Sequence, residues 1–170
     1  MQTFALKNQD KMTNFQIFPP ESRIWIYQSN TPIAAAKTPL LEEEIQQFIR
    51  QWTAHNQALR AYGEVRDHRF LIFMVDESQA GASGCSIDKS VHFVQYLERT
   101  FDLNFFDRMT FTYQENGEIK AATREEFAAL FAQGIIHENT LVFDNLVKSK
   151  GEFEKNWVKK LGESWHKRMV

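Results

Sequence analysis

The chain has 170 residues, 43% hydrophobic and 25% charged, which excludes a disordered class and fits one ordinary domain or two small ones. A net charge of -2 gives no global attraction to nucleic acid or an anionic membrane, and a single cysteine, Cys85, excludes an intrachain disulfide and a multi-cysteine metal site. The longest apolar run, Phe70 to Val75, is too short to span a bilayer, and the opening MQTFALKNQDKM lacks the apolar stretch of a secretory signal, so a cytoplasmic location is expected.

Residues 1–20 read as an arm, frayed over Met1 to Asp10 and docked through Phe15 and Phe18. Arg23 to Gln28, RIWIYQ, is apolar on both alternating faces and predicts a strand buried on both sides. A helix follows, with Thr38 as N-cap, Pro39 at the first helical position and Glu42 to Glu44 near its positive end. Leu41, Ile45, Phe48, Ile49 and Trp52 form its buried stripe, and its end is expected near His55-Asn56. Leu59 to Arg66 alternates as a half-exposed strand. Asp67-His68 then turns tightly into Phe70 to Val75, which is expected to be covered on both faces.

Glu77 to Ser86 is a small-residue loop. A second helix is expected from about Ile87, with Ser86 as N-cap, Asp88 in the first turn, and Ile87, Val91, Val94, Leu97 and Phe101 inward. Met109, Phe111 and Tyr113 alternate with polar residues as a further strand. Asn116-Gly117 signals a type I′ hairpin returning through Glu118 to Ala121. Thr123-x-x-Glu126 is a capping box opening a short helix that closes at Gly134, and Leu141 to Phe143 is a short strand. The tail is basic and aromatic, with Trp157 and Trp165 expected as anchors of a solvated edge.

Up to Gln114 the order is strand, helix, strand, strand, helix, strand, which is the split βαβ order of a ferredoxin-like unit. From the apolar character of Ile24 to Tyr27 and of Phe70 to Val75, these two segments are expected to be central, adjacent and parallel. Both helices then lie on one face, and the other face needs a cover: the C-terminal third or a partner copy. The fold class is therefore α+β: an arm (1–20), a ferredoxin-like unit (21–115) and a C-terminal unit (116–170) packed on it, with the boundary between 105 and 120.

If the strands were parallel, their carboxyl ends would bring Ser29 and Asn30 beside Asp76 and Glu77, next to Ser83, Cys85 and Ser86. This rim is the candidate ligand site. Helix amides favour an anionic group there while Asp76, Glu77 and Asp88 oppose it, so a neutral or zwitterionic small ligand is expected. The other reading is that these groups only satisfy loop backbone and caps. Cys85 and Asp76 are the catalytic candidates, although a buried small hydrophobe is the expected state of Cys85. No histidine pair has metal-binding spacing, so neither a metal nor a cofactor is expected.

Gly81, Ser83, Gly84 and Cys85 resemble the start of the phosphate loop of ABC transporter ATPases. Ser86-Ile87-Asp88 then intervenes before Lys89-Ser90, the Gly-Lys-Ser/Thr step is missing, and ATPase activity is rejected. Through IWIYQSN, QWTAH, MVDESQ, SGCSID and ESWHKR the chain is similar to a family of uncharacterised bacterial proteins that often carry that ATPase label, a resemblance that implies no established activity. From about Met109 the chain also resembles the second type of GYF (glycine-tyrosine-phenylalanine) domain. The match runs through Asn116-Gly117, Thr123 to Phe127, Leu130, Gly134-Ile135, Thr140 to Val142 and Trp157. That resemblance implies a hairpin–helix–strand fold and an aromatic surface for proline-rich peptides, but the Gly-Pro-aromatic step is replaced by EIKAA at Glu118 to Ala122.

The expected function is that of a non-catalytic binding or scaffolding protein whose partner is another protein or a second copy, with neither membrane nor nucleic acid as its target. The alternative is an enzyme or small-molecule-binding protein using the loop 76–88.

Overall fold

The computed structural model describes residues 14–170, so the reading of Met1 to Asp10 lies outside the described residues. The chain is mixed α and β with antiparallel sheets. In order it forms β1 (Arg23–Gln28), α1 (Thr38–Gln51), β2 (Thr53–Ala54), β3 (Gln57–Ala58), β4 (Arg60–Arg66), β5 (Phe70–Asp76) and α2 (Gly84–Phe101). Then come β6 (Thr110–Glu115), β7 (Glu118–Thr123), α3 (Arg124–Ala132), β8 (Leu141–Phe143), α4 (Lys150–Asn156), β9 (Val158–Lys160) and two closing 3-10 turns.

The first sheet has the order β1-β5-β4, and both pairings are antiparallel. This corrects the expected parallel pairing of Ile24 to Tyr27 with Phe70 to Val75. Through the α1 crossover β1 and β4 run parallel, and the tight turn at Asp67-His68, where both residues have positive φ, reverses the chain into β5. A strand lying beside β1 after that reversal must oppose it. β5 is buried at all seven positions, whereas β1 forms the sheet edge and is half-buried along Trp25 to Gln28, so only the former is covered on both faces.

Both long helices pack on one face of this sheet. Leu41, Ile45 and Trp52 meet Val94 and Leu97 over Leu71, Phe73 and Val75. Phe70, Ile72 and Met74 point to the other face, which is closed by Phe143, Val147, Phe153 and Trp157 from the C-terminal part and by Phe15 and Phe18 from the arm. Each large side chain so buried contributes roughly 1.5–3 kcal/mol, which is why neither face stays wet.

Residues 110–115, expected as a fourth strand of the first unit, belong instead to a second sheet of order β7-β6-β8-β9. Asn116 and Gly117 both have positive φ, as a type I′ hairpin demands, and they set the register Glu115↔Glu118. Thr123 and Glu126 form the expected capping box of α3, and Gly134 at φ 71 terminates that helix. A third core of Phe111, Tyr113, Phe127, Ile136, Val142 and Leu161 lies between this sheet and α3.

Three helix ends differ from expectation for local reasons. α1 starts one residue after Lys37 and without a side-chain cap, because Ala34–Lys37 is already a turn (Lys37 N–H donates to Ala34 O, 2.9 Å). It stops at Gln51, since His55 and Asn56 take positive φ and turn the short β2–β3 hairpin. α2 starts at Gly84, not Ile87: Ser83 is the N-cap, and its hydroxyl and that of Ser86 each accept the other's backbone N–H.

Candidate functional site

The antiparallel register divides the expected rim. Arg23 faces Val75 and Gln28 faces Phe70, so Ser29-Asn30 and Asp76-Glu77 lie at opposite ends of β5, about 20 Å apart by strand rise. At the Asp76 end the polar groups serve the loop. Asp76 accepts from Ser78 N–H (3.0 Å) and from Arg60 Nη1 (2.8 Å), and Glu77 accepts from Ala82 N–H (3.1 Å). Hydrogen bonds from Ser78, aided by Arg60 and opposed by burial, hold the Asp76 carboxyl below the usual carboxylate range. Ser83 and Ser86 are used in the cap, and Ser86 O also accepts from Trp52 Nε1 (2.8 Å). Cys85, expected to be a buried hydrophobe, is exposed in the first turn of α2, and Lys89 is exposed one turn further on.

The opposite end is differently built. Ser29 is fully buried, and its Oγ has no hydrogen-bond partner. Ser29 N–H donates to Arg69 O (2.8 Å), Asn30 N–H to Asn104 O (3.2 Å) and Ile33 N–H to His68 O (2.6 Å), which ties the exit of β1 to the β4–β5 turn and to the segment before β6. Arg69 is 4% exposed, and burial pushes its guanidinium below its ordinary pKa.

A groove of about 420 Å³ lies elsewhere, on the C-terminal part. One wall is the end of the β6–β7 hairpin, Gln114 to Gly117, and the other is the connection from Ile135 to Leu141. Its shape follows from the chain leaving α3. Gly134 and Ile135 donate back to Phe131 O and Leu130 O, and His137 and Thr140 close a small turn on each other. Ile136 is thereby driven into the core, while Ile135 (47% exposed) and Leu141 (37%) remain at the surface. The lining mixes aliphatic and polar side chains; its one carboxylate, Glu115, is paired with Lys120. This suits an uncharged extended segment better than a phosphate or a metal. Sequence reasoning did not single out this groove, although Gly134-Ile135 and Thr140 to Val142 stand in the run that resembles GYF domains.

The tail tryptophans are both anchored: Trp157 Nε1 donates to Asn145 Oδ1 and Trp165 Nε1 to Asp144 Oδ1, each at 2.9 Å. Lys159 and Lys167 pair with Asp144 and Glu138. Among the described residues no three His, Cys, Asp or Glu side chains are grouped as a metal site, and no helix is long and apolar enough to cross a membrane. No family model, curated protein or solved structure matches the chain.

Proposed function

We propose that the protein is a non-catalytic binding module that holds an extended segment of a partner protein in the groove between Gln114–Gly117 and Ile135–Leu141. The groove carries this reading: it is open, it has Ile135 and Leu141 exposed at its rim, its one carboxylate is paired, and it is framed by two tight turns. In this reading the C-terminal part is a GYF-like hairpin–helix–strand unit that has lost the Gly-Pro-aromatic step. The N-terminal part supplies three strands of a ferredoxin-like unit, in the order β1-β5-β4, as its support. In the loop 76–88, Asp76, Glu77, Ser83 and Ser86 are engaged in the loop's own backbone and cap, which argues against a reacting site built on them.

Selection of displayed 12-residue peptides on the full chain tests this. Selected peptides are expected to shift the NMR resonances of Gln114 to Gly117 and Ile135 to Leu141. The exposed-site variants Ile135→Asp and Leu141→Asp should weaken binding at least tenfold while the fold is kept. Peptides whose shifts map elsewhere, or affinities indifferent to both variants, overturn the reading.

A further inference from the structure

We propose that Asn116 is a site of spontaneous deamidation, which adds an unpaired carboxylate to the hairpin wall of the groove. The modification depends on the turn alone; only its effect on a bound segment rests on the groove being the binding site.

Asn116-Gly117 is the one Asn-Gly step in the chain, and both residues are exposed at the tip of the β6–β7 hairpin. Among the described residues the Asn116 carboxamide has no hydrogen-bond partner, and no carbonyl accepts the Gly117 N–H. Glycine leaves that nitrogen unshielded: a methyl group on Gly117 would meet nothing within 4 Å beyond its chain neighbours, so the space beside the backbone is open. Other asparagines lack this combination. Asn104 Oδ1 accepts from the N–H groups of Phe106 and Asp107, both at 3.2 Å, and Asn145 is held by Trp157 and Gln28. Asn30 and Asn139 each precede a β-branched threonine.

The Gly117 nitrogen, once hydroxide has removed its proton, attacks Cγ of Asn116. The new N–Cγ bond closes a succinimide, the Cγ–Nδ2 bond breaks, and ammonia leaves with a proton taken from water. Water then opens the ring. Cleavage of N–Cγ gives aspartate, and cleavage between that nitrogen and the Asn116 carbonyl carbon gives isoaspartate. Attack requires the turn to loosen, which releases only the outermost pair of the ladder, Glu115↔Glu118, and such local opening costs far less than unfolding. Asn116 lines the groove, whose one carboxylate is paired with Lys120. Either product sets a new carboxylate between Glu115 and the exposed Glu118, with Lys120 already engaged. Isoaspartate also lengthens the main chain by one carbon, so a two-residue type I′ turn no longer matches the register of β6 with β7.

The full chain is incubated at neutral and at mildly alkaline pH, digested briefly with trypsin, and followed by mass spectrometry through the peptide spanning residues 109–120. The mass gain of one deamidation should accumulate at Asn116 ahead of every other asparagine and faster at the higher pH. The product should accept methyl groups from isoaspartyl methyltransferase. Asn116→Gly, which keeps a Gly-Gly turn, should stay unlabelled. A synthetic peptide of residues 109–120 sets the clock. If the folded chain shows no gain at Asn116 after about ten half-lives of that peptide, the hairpin protects the site and the proposal fails. It fails equally if another asparagine converts first. Where uncharged selected peptides map to the groove, aged wild type and Asn116→Asp should bind them at least fivefold more weakly than fresh protein, while Asn116→Gly should hold its own starting affinity throughout. Equal affinities before and after full conversion overturn the effect on binding. Peptides that bind elsewhere refute the groove as the binding site, and the mass gain still decides the modification.

Discussion

His166 is 1% exposed, with Nδ1 at 2.7 Å from Ser164 Oγ and its ring stacked on Trp165 and edge-on to Phe111. Burial pushes its pKa from 6.5 to about 4, with Lys159 adding to the shift and Asp144 opposing it. The folded protein therefore holds this imidazole neutral where the unfolded chain would protonate it. The resulting stability is fully present above pH 6.5 and is lost as pH falls from 6.5 towards 4, by roughly 3 kcal/mol at 1.36 kcal/mol per unit. Urea unfolding across that range should show the loss in the wild type and a flatter profile in His166→Phe; parallel profiles would refute the assignment. Nothing in the sequence marks His166 apart from the other histidines, because its burial is completed by Phe111 on β6 and Phe127 on α3, both far from it in the chain. Asp76 shows the converse: the sequence singles it out, and only its partners Ser78 and Arg60 reveal a structural role.

At the scale of elements, α1 shows what periodicity conveys and what it omits. Its inward stripe of Leu41, Ile45, Phe48 and Ile49 is legible in the sequence, and these residues do pack on the sheet. The close approach of α1 to β4 is not legible. A methyl group on Gly63 would lie 2.5 Å from Ile45 Cγ2 and 3.2 Å from Ile49 Cγ2, so this glycine is required by contact rather than by backbone angle. Gly63→Ala should cost about 1–3 kcal/mol through overpacking. Replacing the β-branched side chain in Gly63→Ala/Ile45→Leu should cost less than the two single changes summed, a coupling readable from denaturant midpoints. Strict additivity would place the strain elsewhere. Turns divide in the same way. Asn116-Gly117 announces its type I′ geometry, whereas at His55-Asn56 and Asp67-His68 the sequence shows a break and a turn, with Asn56 and Asp67 suited to positive φ, but not that both histidines adopt it as well. The seven residues of α4, KGEFEKN, are too few to display a helical period.

For the whole molecule, the α+β class and the need for a second cover on the first sheet were both legible, since too many large apolar residues were in hand for one face. Strand direction was implicit in the chain order, because a hairpin after a crossover must reverse β5 against β1. Apolar character alone pointed to the wrong direction, and with it to a rim that does not exist. The cover itself is what joins the two parts. The Trp157 ring lies 5.0 Å from Phe70 of the first sheet, 5.1 Å from Phe143 of the second and 4.5 Å from Phe153 of α4, centroid to centroid. Trp157 Nε1 donates to Asn145 Oδ1, whose amide donates in turn to Gln28 Oε1 at the end of β1. A residue shared in this way by both sheets should make them unfold together. Unfolding followed by near-UV and far-UV circular dichroism should give coincident single transitions. Trp157→Ala should move both by about 3–5 kcal/mol with the denaturant slope unchanged. Two separable transitions, with the substitution shifting only one, would show that the parts fold independently and that the shared core is a contact between finished units.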